Sequence, residues 1–246
     1  MSAQKGEHEQ LNFGSSVDGM PSYIAAAHEL KSPLALMRQL SLMLEEGDVP
    51  VDEQKRMLRQ ISLTSERALR LTGDLTRSAR MSDSLFNLEP INPCQLCEDV
   101  VRELTPLFEA HDREFRFVPV RGQVLLVANR DLLRRVLVNF GDNALHYADE
   151  YSAVELKIGS VNSGKTIRLG VRDYGPALHA GALKSLKGKL SKSAAPINTR
   201  PQSSGLGLFI ASQFASAMNG QIGVMKHRDG ATFYIDLQAS KQLSLL

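Results

Sequence analysis

The chain has 246 residues, 43% hydrophobic and 23% charged, which supplies enough apolar side chains for one large or two modest domains with real cores. Its formal net charge of +2, with no long block of one sign, excludes nucleic acid or a membrane surface as a partner recognised through bulk electrostatics. No run approaches the roughly 18 apolar residues of a membrane helix, and the opening MSAQKGEHEQLNFGSS lacks the apolar centre of a secretion signal, so a cytosolic location is expected.

Residues 1–20 are polar, rich in Gly and Ser and aperiodic, and read as a flexible leader. From Tyr23 the pattern changes. Tyr23, Ala27, Leu30, Leu34, Met37, Ser41 and Leu44 recur at alternating steps of four and three, the seam of a helix in a coiled-coil-like bundle, and Leu36, Leu40 and Met43 widen it toward a further packing partner. Inside this helix stands Pro33, which costs a helix interior about 3 kcal/mol or more. Its position predicts a bend just past His28, where the segment can deform. In EEGDVPVDEQ, Gly47 and Pro50 break the helix and Asp52 is the expected N-cap of the next one. Leu58, Ile61, Ser65, Ala68, Thr72, Leu75 and Ala79 then repeat the seam, with Lys55, Arg56, Arg59, Glu66, Arg67 and Arg70 on the other faces. Two antiparallel helices cannot cover both stripes, so residues 21–88 are expected to close as a homodimeric four-helix bundle.

FNLEPINP, with Pro90 and Pro93, reads as a linker, and residues 89–246 have a mixed character. The spacing predicts helices over 94–110, 130–147 and 205–218, and short strands in FRFVPV and VLLVA. It also predicts a hairpin of AVELKIGSV and KTIRLGVRD around NSGK, and a second of QIGVMKH and ATFYIDL around Arg228-Asp229-Gly230. Helices on one face of a mostly antiparallel sheet make an α/β sandwich, and the chain as a whole is of the α+β class. Cys94 and Cys97 form a CxxC without further metal ligands or a leading strand, so they read as two reduced thiols opening the helix after Pro93.

Three stretches of this second region carry chemistry. Asn139, Asn143, His146 and Tyr147 in NFGDNALHYA fall at i, i+4, i+7 and i+8, so one helix face offers two amides, an imidazole and a phenol beside the apolar Val136, Leu137 and Phe140. In VRDYGPAL an apolar strand ends in Asp173, suited to accept a hydrogen bond from an amine, and Gly175 allows close approach of a flat ligand. In SSGLGLFIASQFASAMNG, Gly205 and Gly207 open a helix whose bare N–H groups suit phosphate. HAGALKSLKGKLSKSAAPINTRPQSS, with Lys184, Lys187, Lys189, Lys192 and Arg200, is expected to be a mobile loop over the site.

The order HELKSPL, NFGDNALHYA, DYGPA, GLGL resembles the bacterial sensor histidine kinases of two-component signalling over about residues 21–238. Members join a dimerisation and histidine-phosphotransfer domain to an ATP-binding domain of the fold shared with gyrase, the Hsp90 chaperones and MutL. The resemblance implies that His28 is the phosphoacceptor, Glu29 its acid/base partner, and Ser32 the hydroxyl that positions water for dephosphorylating the partner. It implies that Asn143 is the Mg²⁺ ligand, with Asn139 and His146 its phosphate-side neighbours. Tyr147 would stack on adenine, Asp173 would take the adenine amine, Gly175 would border the base, and Gly205 and Gly207 would border the phosphates. The implied activity is ATP-dependent autophosphorylation of His28 and transfer to an aspartate of a response-regulator receiver domain, with a separate sensor protein as a further partner.

The chain departs from the family pattern in places. Ala177 stands where members carry a second glycine, Leu183 and Leu186 replace loop phenylalanines, His146 stands where lysine is common, and Ser32 where threonine is common. These departures leave open a phosphotransferase that relays phosphate between receivers through His28 without using ATP. The superfamily's hydrolases place a water-activating Glu one turn before the Mg²⁺ ligand. Asn139 occupies that place here, which argues against ATP hydrolysis and for transfer to histidine.

Overall fold

A computed structural model describes residues 20–79, 86–119, 124–149, 152–176 and 206–241. The leader, the loop after Pro176 with its lysines, Ala177, Leu183 and Leu186, and Gly205 lie outside the described residues. Helix α1 (Met20–Glu45) runs uninterrupted through Pro33, and α2 (Val51–Ala79) returns against it. Gly47, at φ +77°, supplies the left-handed residue that ends the first helix. Asp52 is not the N-cap expected of it. It sits inside the first turn of α2 with Glu53, where a carboxylate complements the helix dipole.

Among the described side chains of the hairpin, Leu40 on α1 and Met57 on α2 are the buried apolar ones, whereas the seam residues Leu34 and Leu58 stay 57% and 58% exposed. Farther along α2, Leu75 of the seam and Leu63 and Leu71 outside it pack against the core of the second region.

That region begins where the sequence reads as a linker, and the structure corrects the reading: Glu89–Ile91 is strand β1, paired antiparallel with β3 (Leu126–Ala128). Pro90 is tolerated because β1 is an edge strand. Residues 239–240 close the same spot, since Leu126 bridges Ala239 and Ser240 N–H donates to the Leu125 carbonyl. A five-stranded sheet in the order β2-β4-β5-β7-β6 is formed by β2 (Glu114–Val118), β4 (Ala153–Val161), β5 (Thr166–Tyr174), β6 (Gln221–His227) and β7 (Gly230–Gln238). Both expected hairpins form, and β2 joins as the one parallel neighbour, beside β4.

Helices α3 (Pro93–Glu109), α4 (Arg130–Tyr147) and α5 (Leu206–Ala217) cover one face of the sheet. Alternation along the strands decides which residues they cover. In β5, Ile167, Leu169, Val171 and Asp173 are buried on the helix side, with Phe233, Ile235 and Leu237 of β7 beside them. Phe108, Phe140 and Phe214, one from each helix, are fully buried, and Phe108 stacks on Phe115 with ring centres 4.8 Å apart. Cys94 and Cys97 are free thiols in the first turns of α3, as expected, and Asn92 caps that helix by accepting from Cys94 N–H at 3.0 Å.

Candidate functional site

The polar stripe of NFGDNALHYA lies on α4, whose start is fixed by Asn129. Its side-chain oxygen accepts from Leu132 N–H at 3.1 Å and its amide donates to the Asn87 carbonyl at 3.2 Å. With Val136, Leu137, Phe140 and Ala144 in the core, the opposite strip carries Asn139, Asp142 and Asn143, all half-buried. The amide nitrogens of Asn139 and Asn143 are buried without a hydrogen-bond partner among the described residues. A buried amide left unmet costs about 1–3 kcal/mol, which makes this pair a candidate place for a polar ligand. Carboxamide oxygen is a hard donor that fits Mg²⁺, and carboxamide N–H fits phosphate oxygen. His146 and Tyr147 extend the same helix into its last turn.

Gly207, in the first turn of α5, comes to this strip: a methyl group in place of its hydrogen would sit 3.6 Å from Asn139 Oδ1. The start of one helix and the polar face of another thus meet.

Asp173 ends the apolar row of β5 and is 3% exposed on the helix side of the sheet. Its carboxylate accepts from Ala231 N–H at 3.0 Å, so the first residues of β7 hold it in place. Gly230, at φ +129°, permits this closeness, because a Cβ there would fall 2.6 Å from the Asp173 carboxylate. Gly175 is buried and donates its N–H to the Asp229 carbonyl at 3.2 Å. Behind this corner, on the far face of the sheet, Arg172 pairs with Asp229 at 2.6 Å and lies over the Tyr174 ring. Tyr174 O–H donates to Glu155 at 2.8 Å, and Arg116 and Lys157 reach the same carboxylate at 2.7 and 2.5 Å. Burial works to raise the pKa of Glu155, and the hydrogen bonds from Lys157, Arg116 and Tyr174 outweigh it, leaving it at about 2.

His28, Glu29 and Ser32 lie in the first half of α1, and Ser32 is exposed. The structure places them on a different element from the Asn139, Asp173 and Gly207 group, with α1 touching α5.

Sequence reasoning missed the junction of α2 with α4. Arg67, Arg70, Asp74 and Arg77 step by three, four and three along α2 and face Asp142, Arg135 and Asp131 on the antiparallel α4. Asp74 is 5% exposed and hydrogen-bonded to Arg135, and Arg77 pairs with Asp131 at 3.2 Å. Burial lifts the Asp74 carboxyl above its ordinary range, against the pull of Arg135. The Asn139 amide lies near enough to favour the charged form of Asp74 without closing a hydrogen bond to it. The signal in the sequence was the charge order itself, basic-basic-acidic-basic on α2 against acidic-basic-acidic on α4, read in opposite directions.

Residues 128–241 match the model of the histidine kinase-, DNA gyrase B- and HSP90-like ATPase family. The sensor kinase PmrB of Pseudomonas aeruginosa is 29% identical over 208 residues, 83% of this chain and 42% of the relative. Two solved structures share the fold. ShkA in complex with AMPPNP has a TM-score of 0.58 at 22% identity and is covered over 47% of its length by 91% of this chain. ThkA in complex with the response regulator TrrA has a TM-score of 0.60 at 17% identity, with 62% of it covered by 89% of this chain. The chain is similar in sequence to two-component sensor histidine kinases, and it spans less than two thirds of the length of the curated relatives it matches. Among the described residues no helix is long and apolar enough to cross a membrane.

Proposed function

We propose that this chain is the kinase core of a two-component system, in which residues 21–88 dimerise and carry the phosphoacceptor His28 and residues 89–246 bind ATP. The observation that carries the reading is the pair of buried, unmet amides of Asn139 and Asn143 on α4, beside Gly207 and on the helix side of the sheet that ends in Asp173. Kinship with histidine kinases, one solved with a nucleotide analogue and one with a response regulator, supports it. Exposed Leu34 and Leu58, both on the seam, support a second copy as the partner of the hairpin. A cytosolic setting belongs to the same proposal.

Asn143 would hold Mg²⁺, with Asn139 and His146 toward the phosphates, Tyr147 and Gly175 against the base, Asp173 on its amine, and Gly205 and Gly207 at the phosphate end. When bound, Mg²⁺ neutralises and orients the phosphate oxygens. An unprotonated imidazole nitrogen of His28 attacks the γ-phosphorus, forming an N–P bond as the bond to the β–γ bridging oxygen breaks and ADP leaves. Glu29 accepts a hydrogen bond from the other ring nitrogen and stabilises the charge that develops there. A receiver aspartate then takes the phosphoryl group from nitrogen to oxygen, and the Ser32 hydroxyl would orient a water that attacks the aspartyl phosphate, releasing inorganic phosphate and the free carboxylate.

The test is incubation of the full chain with γ-labelled ATP and Mg²⁺. His28→Gln is expected to lose the acid-labile label while still binding nucleotide, and Asn143→Ala to lose nucleotide binding. Label retained by His28→Gln refutes the assignment. A wild-type chain that neither labels nor binds nucleotide, yet accepts phosphate at His28 from a receiver, makes it a relay instead.

A further inference from the structure

Five buried side-chain polar atoms have no hydrogen-bond partner among the described residues, and four of them share one junction: Arg70 Nε on α2, and Asn139 Nδ2, Asp142 Oδ1 and Asn143 Nδ2 on α4. At about 1–3 kcal/mol each, one such atom is tolerable, whereas three N–H donors, on Arg70, Asn139 and Asn143, call for an acceptor that belongs there; the fourth atom, Asp142 Oδ1, is itself an acceptor.

The ladder of charges between the helices is closed at one end and open at the other. Asp74 and Arg77 make their rungs with Arg135 and Asp131. Arg67 and Arg70 stand 3.7 and 3.9 Å from Asp142, too far for hydrogen bonds. Arg70 also lines a cleft of about 370 Å³ between the two helices, with Glu66, Gly73, Asp74 and Arg134, and its side chain is 27% exposed. Its guanidinium is therefore partly open to solvent, half-engaged, and opposite the residue that precedes Asn143.

We propose that Arg70 is a phosphate ligand of the nucleotide site, contributed by the helical stalk, with Asp142 as its competitor; this rests on the reading of α4 as the nucleotide helix. Mg²⁺ and ATP together remain net negative, and the amides of Asn139 and Asn143 bring no charge to offset that. Asp142 beside them is repulsive unless neutralised. A guanidinium offers a planar fork matched to phosphate oxygens, and phosphate outbids a carboxylate held beyond hydrogen-bond reach. Nucleotide binding then draws Arg70 away from Asp142, so occupancy of the site is felt by the helix paired with the one that bears His28.

The experiment is calorimetric titration of the full chain with the β,γ-imido analogue of ATP plus Mg²⁺, and separately with adenosine. Arg70→Ala is expected to weaken the analogue about tenfold and to leave adenosine unchanged, and Arg70→Lys to recover part of the loss. Asp142→Asn is expected to tighten the analogue about threefold by removing the competitor. Opposite signs for the two sites are what a merely structural junction does not produce; shifts in the same direction overturn the proposal. If Arg70→Ala binds like wild type while Asn143→Ala loses the analogue, the proposal falls and the reading of the site stands. If wild type does not bind the analogue, or Asn143→Ala is indifferent, both fall. Arg70→Lys and Asp142→Asn keep the test decisive should Arg70→Ala fail to fold.

Discussion

Glu155→Gln is expected to destabilise the chain in a way that depends on pH. The side chain is 6% exposed and gathers three donors, Arg116, Lys157 and Tyr174, so glutamine keeps the shape and removes the charge. The gap between an ordinary glutamate at 4.5 and Glu155 at about 2 is equivalent to about 3 kcal/mol. Arg116 and Lys157 are half exposed, and solvent screening of those partners brings the expectation to about 2 kcal/mol. Because the folded-state pKa is depressed, this stability is fully present above 4.5 and is lost as the pH falls through about 2. Urea denaturation of wild type and Glu155→Gln, followed by circular dichroism from pH 7 down to pH 2, should show a gap of about 2 kcal/mol at neutral pH that closes below pH 4.5. A gap of the same size throughout would mean that shape, not charge, is what Glu155 contributes.

Leu58→Lys and Leu34→Asp should shift the chain from dimer to monomer in sedimentation equilibrium, and a wild-type chain that is already monomeric refutes the bundle. Gly141→Ala puts a methyl group into Leu104 at the core side of α4; overpacking of about 1–3 kcal/mol exceeds the helix-propensity gain of about 1 kcal/mol, so a lower urea midpoint is expected, and an unchanged one refutes the close packing. A thiol reagent should modify half-buried Cys94 first and leave Cys97 untouched in the native chain, since burial raises the Cys97 thiol far above its ordinary range; equal rates refute this. Asp173→Ala should cost about 1–3 kcal/mol in urea denaturation by leaving Ala231 N–H unmet, together with loss of nucleotide binding.

Much of the second region was legible because strand alternation and turn residues are local. Ile167, Leu169 and Val171 announce a buried face, and Asp173 at the end of that row announces a polar group turned inward. β1 was hidden for the opposite reason: Pro90 and Pro93 punctuate the sequence as a linker, and only the partner strand, more than thirty residues on, makes Glu89–Ile91 a strand. Asp52 looked like a cap because caps and first-turn acids share a residue type, and backbone geometry alone separates them. The α2 seam was read as closing a four-helix bundle, but helical periodicity does not say which surface meets which stretch, and Leu75 of the seam, with Leu63 and Leu71 beside it, packs against the core of the second region. The same blindness hid Asp74 and Asp142, whose meaning lies in residues of another helix. Asn139, Asn143 and Gly207 stood out in the sequence because their chemistry is unusual on the elements that carry them.

The stitching of β1, β3 and the segment 239–240 has a mechanical consequence. The chain enters this lobe through a strand whose neighbour is fastened by the lobe's own final residues, so tension arriving from the stalk is spread as shear over several backbone bonds. Twisting the stalk should therefore turn the lobe as a body, the way a key turns a cylinder, before it peels any strand away.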